Sequence, residues 1–427
     1  MLSDIATLTL LLCFLIILFY VKKLTRDIYP CSLRKDIRKT INTSLVINAV
    51  FFTIITLLFY KIYGYIADDT TYFGPPATPV KGNIFKTHDG TLFLQILVGY
   101  IRSATGLDLP AFHILFATIS FIAGLLFIRI LLCHIPIISK RMTKHTRIAL
   151  WSILCFPNII AWGRFFGKDS IVLSFAAIWF YNTDKFLFGK ATLWNYIGIL
   201  FSGFIMYGIR AHIAMSFMLA FSLVFFIKVY NTRNIDSALR GLIRLVGPYL
   251  LIGITVLVAY FAAIKIGGRQ NAHMGGIKST VEGAAKTGAY GGSARKMDDG
   301  DEVSGGILSP QKILANIGYL YFAPFPWQVR GAIDIIALLS NVLLFYLLWN
   351  YVRNINRKLL LHIYLLTIVG MLTLLLSFLT GNVGLILREK TIMLPFLFLL
   401  LFTSADVVGN PVLKVRNTGV YLKIKKT

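Results

Sequence analysis

The stretch PAFHILFATISFIAGLLFIRILLC, residues 110–133, decides the fold. It holds a single charge, Arg129, and it exceeds the roughly 20 apolar residues that a helix needs to cross a bilayer. The same reading finds apolar stretches at 4–21, 43–64, 147–163, 170–184, 193–209, 211–230, 243–266, 331–352, 359–380 and 391–408, with Pro157 breaking the fourth of the set. The expected architecture is therefore an all-α polytopic membrane protein of about eleven transmembrane helices, with 1–427 a single integral membrane domain.

Composition agrees with that reading. Of 427 residues, 57% are apolar and 14% charged, against about 25% charged in an ordinary soluble domain. Too little polar surface exists to wet a globule of this size, which excludes a soluble enzyme and a disordered scaffold. Cys13, Cys31, Cys133 and Cys155 have no CxxC spacing, so neither a zinc site nor a disulfide framework is implied.

The chain is strongly basic, with 43 Lys and Arg against 18 Asp and Glu. These cations fall in short clusters between apolar runs, at 22–39, 140–147, 185–190, 228–244, 353–358 and 414–426. All six clusters lie on one side if the first span exits at Lys22. The positive-inside rule then makes that side cytoplasmic, with the N-terminus outside and a short basic tail, 409–427, inside. The excess charge is topological, and no nucleic-acid partner is expected.

Two long connections lie on the outer side. The first, 65–109, carries an acidic motif and then Phe93, Ile96, Leu97, Tyr100 and Ile101 at helical spacing, which predicts an interfacial helix. The second, 267–328, is a Gly-rich, flexible loop with an aromatic, interfacial end at Tyr319 to Trp327.

The polar groups at the span ends collect on this outer face. Asp68 and Asp69, with Tyr72 close behind, follow the second span; one carboxylate could serve as a general base, the pair could hold a divalent cation, or they could form a solvated turn. The turn Trp162-Gly163-Arg164-Phe165-Phe166-Gly167-Lys168-Asp169 carries two cations and an acid; Lys168 suits a phosphate and Asp169 suits a helix start, although a turn at lipid headgroups would look alike. Arg210 and His212 join two spans with hardly any loop between them. The planar fork of Arg210 suits an anion, unless it only snorkels to the headgroups, and His212 could share a proton. Asn382, Arg388, Glu389 and Lys390 precede the last span, where Arg388 could bind phosphate while Glu389 neutralises it, or the two could form a structural ion pair. No P-loop, serine-hydrolase or HExxH pattern occurs, and His88, His113 and His273 have no metal-ligand spacing.

With these motifs the chain resembles the multi-span GT-C glycosyltransferases and the related bacterial O-antigen and exopolysaccharide membrane enzymes. That group places an acidic motif in the first outer loop, as Asp68, Asp69 and Tyr72 stand here, with interfacial helices behind it, like 93–101. The resemblance implies transfer of sugar from a polyprenyl-phosphate-linked donor to a hydroxyl acceptor on the outer face of a bacterial inner membrane. It assigns donor-phosphate binding to Lys168, Arg210 and Arg388, catalysis to Asp68 and Asp69, and support to Tyr72, Arg164, Asp169, His212, Asn382 and Glu389. No cofactor is implied beyond a possible divalent cation. A polymerase joining lipid-linked repeat units would use the same leaving group. A flippase or transporter is the alternative of another class, and it would be expected to show internal repeats, of which the sequence has none.

Overall fold

The computed structural model describes residues 4–26, 31–63, 73, 82, 90–134, 142, 144–164, 166–231, 310–329, 332–353, 359–379 and 383–404. All regular elements among them are helical: α1 (Asp4–Arg26), α2 (Cys31–Tyr63), α3 (Gly90–Thr105), α4 (Leu109–His134), α5 (Lys144–Cys155), α6 (Pro157–Gly163), α7 (Lys168–Phe188), α8 (Leu193–Asn231), α9 (Pro310–Phe322), a 3-10 turn at Pro326–Gln328, α10 (Ala332–Arg353), α11 (Leu359–Leu379) and α12 (Val383–Ser404). Four stretches among the described residues are long and apolar enough to cross a membrane: Asp4–Arg26, Leu109–His134, Leu193–Tyr230 and Leu360–Ser377. The chain is a helical membrane protein. The other expected spans fall below that criterion or, like 243–266, lie outside the described residues.

The longest element is folded back on itself. Arg210 interrupts α8 with a non-helical backbone, φ −142° and ψ 82°. The Phe186 ring of α7 lies 5.5 Å from Tyr196 and 5.6 Å from Phe225, residues that a straight helix would hold about 43 Å apart. Leu193–Ile209 and Ala211–Asn231 are therefore antiparallel arms with Arg210 at the tip, as expected from the two apolar runs on either side of it. Close approach at the tip depends on two glycines. A Cβ at Gly90 in α3 would overlap the Ile209 carbonyl oxygen, and one at Gly208 would overlap the Phe93 ring.

The fourth expected span is two helices. Phe156 is extended between α5 and α6, and Pro157 opens α6, a position where its missing N–H costs nothing. The last helix begins earlier than expected, at Val383 rather than 391. Arg388, Glu389 and Lys390 thus lie inside α12 instead of preceding it, because each charge finds a partner from another element. Below them α12 runs through the core. Its Phe396 ring packs 5.0 Å from Phe127, 5.3 Å from Phe180 and 5.0 Å from Phe217, bringing α4, α7 and α8 around one centre. Beyond Lys390 this helix is apolar on most sides and its residues from Ile392 to Phe402 are buried, so it is enclosed by its neighbours.

The bundle has two chemically different ends. At one end Phe166 packs on Phe112 and Phe116, near the starts of α4 and α7. At the other, His134 meets Asp184 at 2.7 Å and Lys228 donates to the Phe186 carbonyl at 3.3 Å. Lys185 and Lys228 sit in the last turns of their helices at that second end. Leu8, Leu11 and Phe19 of α1, Leu200 and Phe201 of α8, and Leu339, Phe345 and Trp349 of α10 are exposed. An apolar surface of that extent suits lipid, not water.

Candidate functional site

Three helices meet in a buried ion cluster at the Phe166 end. Asp169 stands in the first turn of α7, where the helix dipole favours a carboxylate. Its Oδ1 accepts from Arg210 Nη2 at 2.6 Å and its Oδ2 from Arg388 Nε at 3.1 Å. Arg210 Nη1 donates to Glu389 Oε1. The tip of α8 thus places one guanidinium between carboxylates from α7 and α12. The side chains of Asp169 and Glu389 are 5% and 4% exposed, and those of Arg210 and Arg388 are 11% and 23% exposed.

Two carboxylates and two guanidiniums cancel in charge, which is what makes their burial tolerable. Removing one member would leave an uncompensated charge in a poorly solvated place. Arg388 is the most open of the four, and its guanidinium lies 5.8 Å from the Trp162 ring centroid. The two nitrogens at the end of the Arg210 fork, expected to face an anion, are both taken by carboxylates.

Lys168 closes one side of the site. Its Nζ donates to Thr91 Oγ1 at 2.6 Å, next to the Gly90 contact with Ile209. The first turn of α3 therefore fixes both Lys168 and the tip that carries Arg210. A helix falls where one was expected; its Phe93 and Ile96 are buried in the bundle and its Tyr100 is exposed.

Arg164, expected to support the site, does not join the cluster. It turns into the bundle, 2% exposed, donating from Nε to Asn48 Oδ1 at 3.0 Å, from Nη1 to Ser120 Oγ at 2.9 Å and from Nη2 to the Leu154 carbonyl at 3.3 Å. These partners are all neutral, so Arg164 ties α2, α4 and α5 together. His212 is half-buried on the return arm of α8, and its carbonyl accepts from Ser216. Asp68, Asp69, Tyr72 and Asn382 lie outside the described residues.

Lys390 forms a second polar knot, which the sequence reading had passed over. Its Nζ donates to the Tyr321 carbonyl and to Asn341 Oδ1, each at 2.6 Å. Asn341 Nδ2 in turn donates to the carbonyls of Phe322 and Ala323. The aromatic segment after α9 is thereby fastened beside Glu389. The available signal was Ser340-Asn341 in the middle of an apolar run, a polar pair costly to leave unpaired in a membrane. For Thr91 and Gly90 there was none, because their partners lie far along the chain.

Among the described residues, no group of three or more His, Cys, Asp or Glu is placed to hold a metal ion. Comparison with family models, with curated proteins and with solved structures gave no match. The chemistry is therefore read from the residues themselves: a charge-balanced lattice of two carboxylates and two guanidiniums, with Lys168 beside it.

Proposed function

We propose that this protein is a GT-C-like membrane glycosyltransferase that moves a sugar from a polyprenyl-phosphate-linked donor to a hydroxyl acceptor, on the extracytoplasmic face, in cell-surface glycan assembly. The observation that carries this reading is the convergence of Asp169, Arg210, Arg388 and Glu389 at one end of the bundle. The opposite end has Lys185 and Lys228 in its last helical turns, which supports a cytoplasmic assignment for that end and an outer one for the cluster. A bacterial inner membrane, eleven spans, an outer N-terminus and an inner C-terminus belong to the same proposal. An ion cluster gathered at one end favours an outer-face enzyme over a transporter, whose site would sit at the midplane.

Arg388 and Lys168 contact the donor phosphate, and Arg210 contributes its charge from beneath, held between the two carboxylates. Asp68 and Asp69 lie in the sequence between α2 and α3, and the start of α3 is fastened to Lys168 and Ile209. One of these two aspartates takes the proton of the acceptor hydroxyl as its oxygen bonds to the anomeric carbon. The bond from that carbon to the phosphate oxygen breaks, and the charge gathering on the phosphate is stabilised by the cations. A single displacement inverts the anomeric configuration.

The test is transfer of labelled sugar from polyprenyl-phosphate hexoses to glycan acceptors in proteoliposomes. Transfer by the wild type, and its loss in Asp68→Asn or Asp69→Asn protein that still folds, supports the reading. Full activity in both variants removes the base assignment, and no transfer from any donor removes the function.

A further inference from the structure

The end of the bundle away from the ion cluster holds two half-buried cations that no carboxylate answers. Arg129 stands before the last turn of α4, about 7.5 Å inside the end of that helix. Its guanidinium lies 5.2 Å from the Tyr181 ring centroid, and Tyr20 of α1 is beside it. Lys185, in the last turn of α7, brings its Nζ to 5.9 Å from the same centroid. Among the described residues neither cation has a carboxylate within ion-pair distance. The neighbouring acid, Asp184, is already engaged by His134 at 2.7 Å.

A cation within a span is costly without a partner, and an aromatic face offsets only part of that cost. The ion cluster shows the contrast, since each of its guanidiniums meets a carboxylate. At the Arg129 end the complement is an anion from outside the chain, and the bilayer carries one in the phosphate of an acidic headgroup. The surface beside Tyr20 suits the rest of such a molecule. Leu12 and Ile16 precede Tyr20 at four-residue steps on α1 and are 51% and 52% exposed, so an apolar stripe leads away from the polar groups along the span. We propose that Arg129 and Lys185 bind the phosphate of one anionic phospholipid from the leaflet at this end, with an acyl chain lying along Leu12 and Ile16. A free phosphate would match the two cations but has no use for the stripe. The lipid joins α1 to α4 and α7 at a point where the chain supplies no ion pair of its own. This site rests on the membrane character of the protein and is independent of the glycosyltransferase reading.

The experiment titrates the full-length protein, purified in a neutral detergent, with phosphatidylglycerol or phosphatidylcholine of the same acyl chains and counts bound lipid by native mass spectrometry. One phosphatidylglycerol should bind saturably, about tenfold or more tighter than phosphatidylcholine, whose headgroup carries no net charge. Arg129→Gln and Lys185→Gln should each weaken it by roughly tenfold or more. Lys190→Gln, at an exposed lysine of the same end, should change it by less than about threefold. Equal binding of the two lipids by the wild type overturns the proposal, and that comparison needs no variant to fold. An equal loss in Lys190→Gln and Lys185→Gln also overturns it, because a diffuse positive field would then suffice. Displacement of the bound lipid by millimolar inorganic phosphate would show a free-anion site and overturn the assignment to a lipid.

Discussion

Asp169 Oδ1 lies 2.6 Å from Arg210 Nη2, joining the first turn of α7 to the tip of the α8 hairpin. The second oxygen of the same carboxylate holds Arg388, so one side chain ties three helices together. Asp169→Asn would leave two guanidiniums facing Glu389 alone. Breaking such a buried pair costs about 3–5 kcal/mol, and thermal unfolding in detergent should show a loss of that order. Adding Arg388→Gln should restore part of it, because the double variant has no excess cation; strict additivity would mean that the two residues are not coupled.

The hairpin tip is set by backbone proximity to α3. Gly90→Ala drives a methyl into the Ile209 carbonyl, which no side-chain rotation relieves. We expect a loss of about 1–3 kcal/mol from overpacking, together with displacement of Arg210. Gly208→Ala meets the Phe93 ring instead, so Phe93→Ala should rescue it. Unfolding measurements on the single and double variants check this, and a double variant no better than Gly208→Ala would disprove it.

Arg164 offers a contrast, a buried arginine whose hydrogen bonds go to the neutral acceptors Asn48, Ser120 and Leu154. Arg164→Lys keeps the charge but cannot reach Asn48, Ser120 and Leu154 from one planar fork. The variant should lose folding yield and thermal stability, yet its folded fraction should bind polyprenyl phosphate as the wild type does. Normal stability with lost binding would return Arg164 to the site.

The outline of this arrangement was legible in the sequence where it depends on local pattern. Apolar runs on either side of Arg210 gave the hairpin, Pro157 gave the break, and the Gly167-Lys168-Asp169 turn gave a helix start with a carboxylate in it. What depends on the rotation of one helix against another was not legible. Arg164 and Lys168 share one turn, yet Asn48 and Ser120 hold the first inside the bundle while Thr91 holds the second. Arg388, Glu389 and Lys390 read as a break before a span because three successive charges are costly inside one. They continue the helix because Asp169, Arg210 and Asn341 answer them from three other elements.

Lys390 is buried on a helix that faces the core, donating to the Tyr321 carbonyl and to Asn341. Lys390→Met should leave both acceptors unsatisfied, at about 1–3 kcal/mol each. Amide exchange over Tyr319 to Gln328 should accelerate more than exchange in α4. Uniform acceleration throughout the bundle would contradict a local role.

The most direct test of the central claim is the affinity of the protein in lipid nanodiscs for polyprenyl phosphate, measured for the wild type and for Arg388→Gln. A charge-assisted hydrogen bond contributes about 1.5–3 kcal/mol, so the wild type should bind saturably and the variant on the order of 10- to 100-fold more weakly. Equal binding by the two proteins, or no saturable binding by the wild type, would contradict a lipid-phosphate site at this cluster.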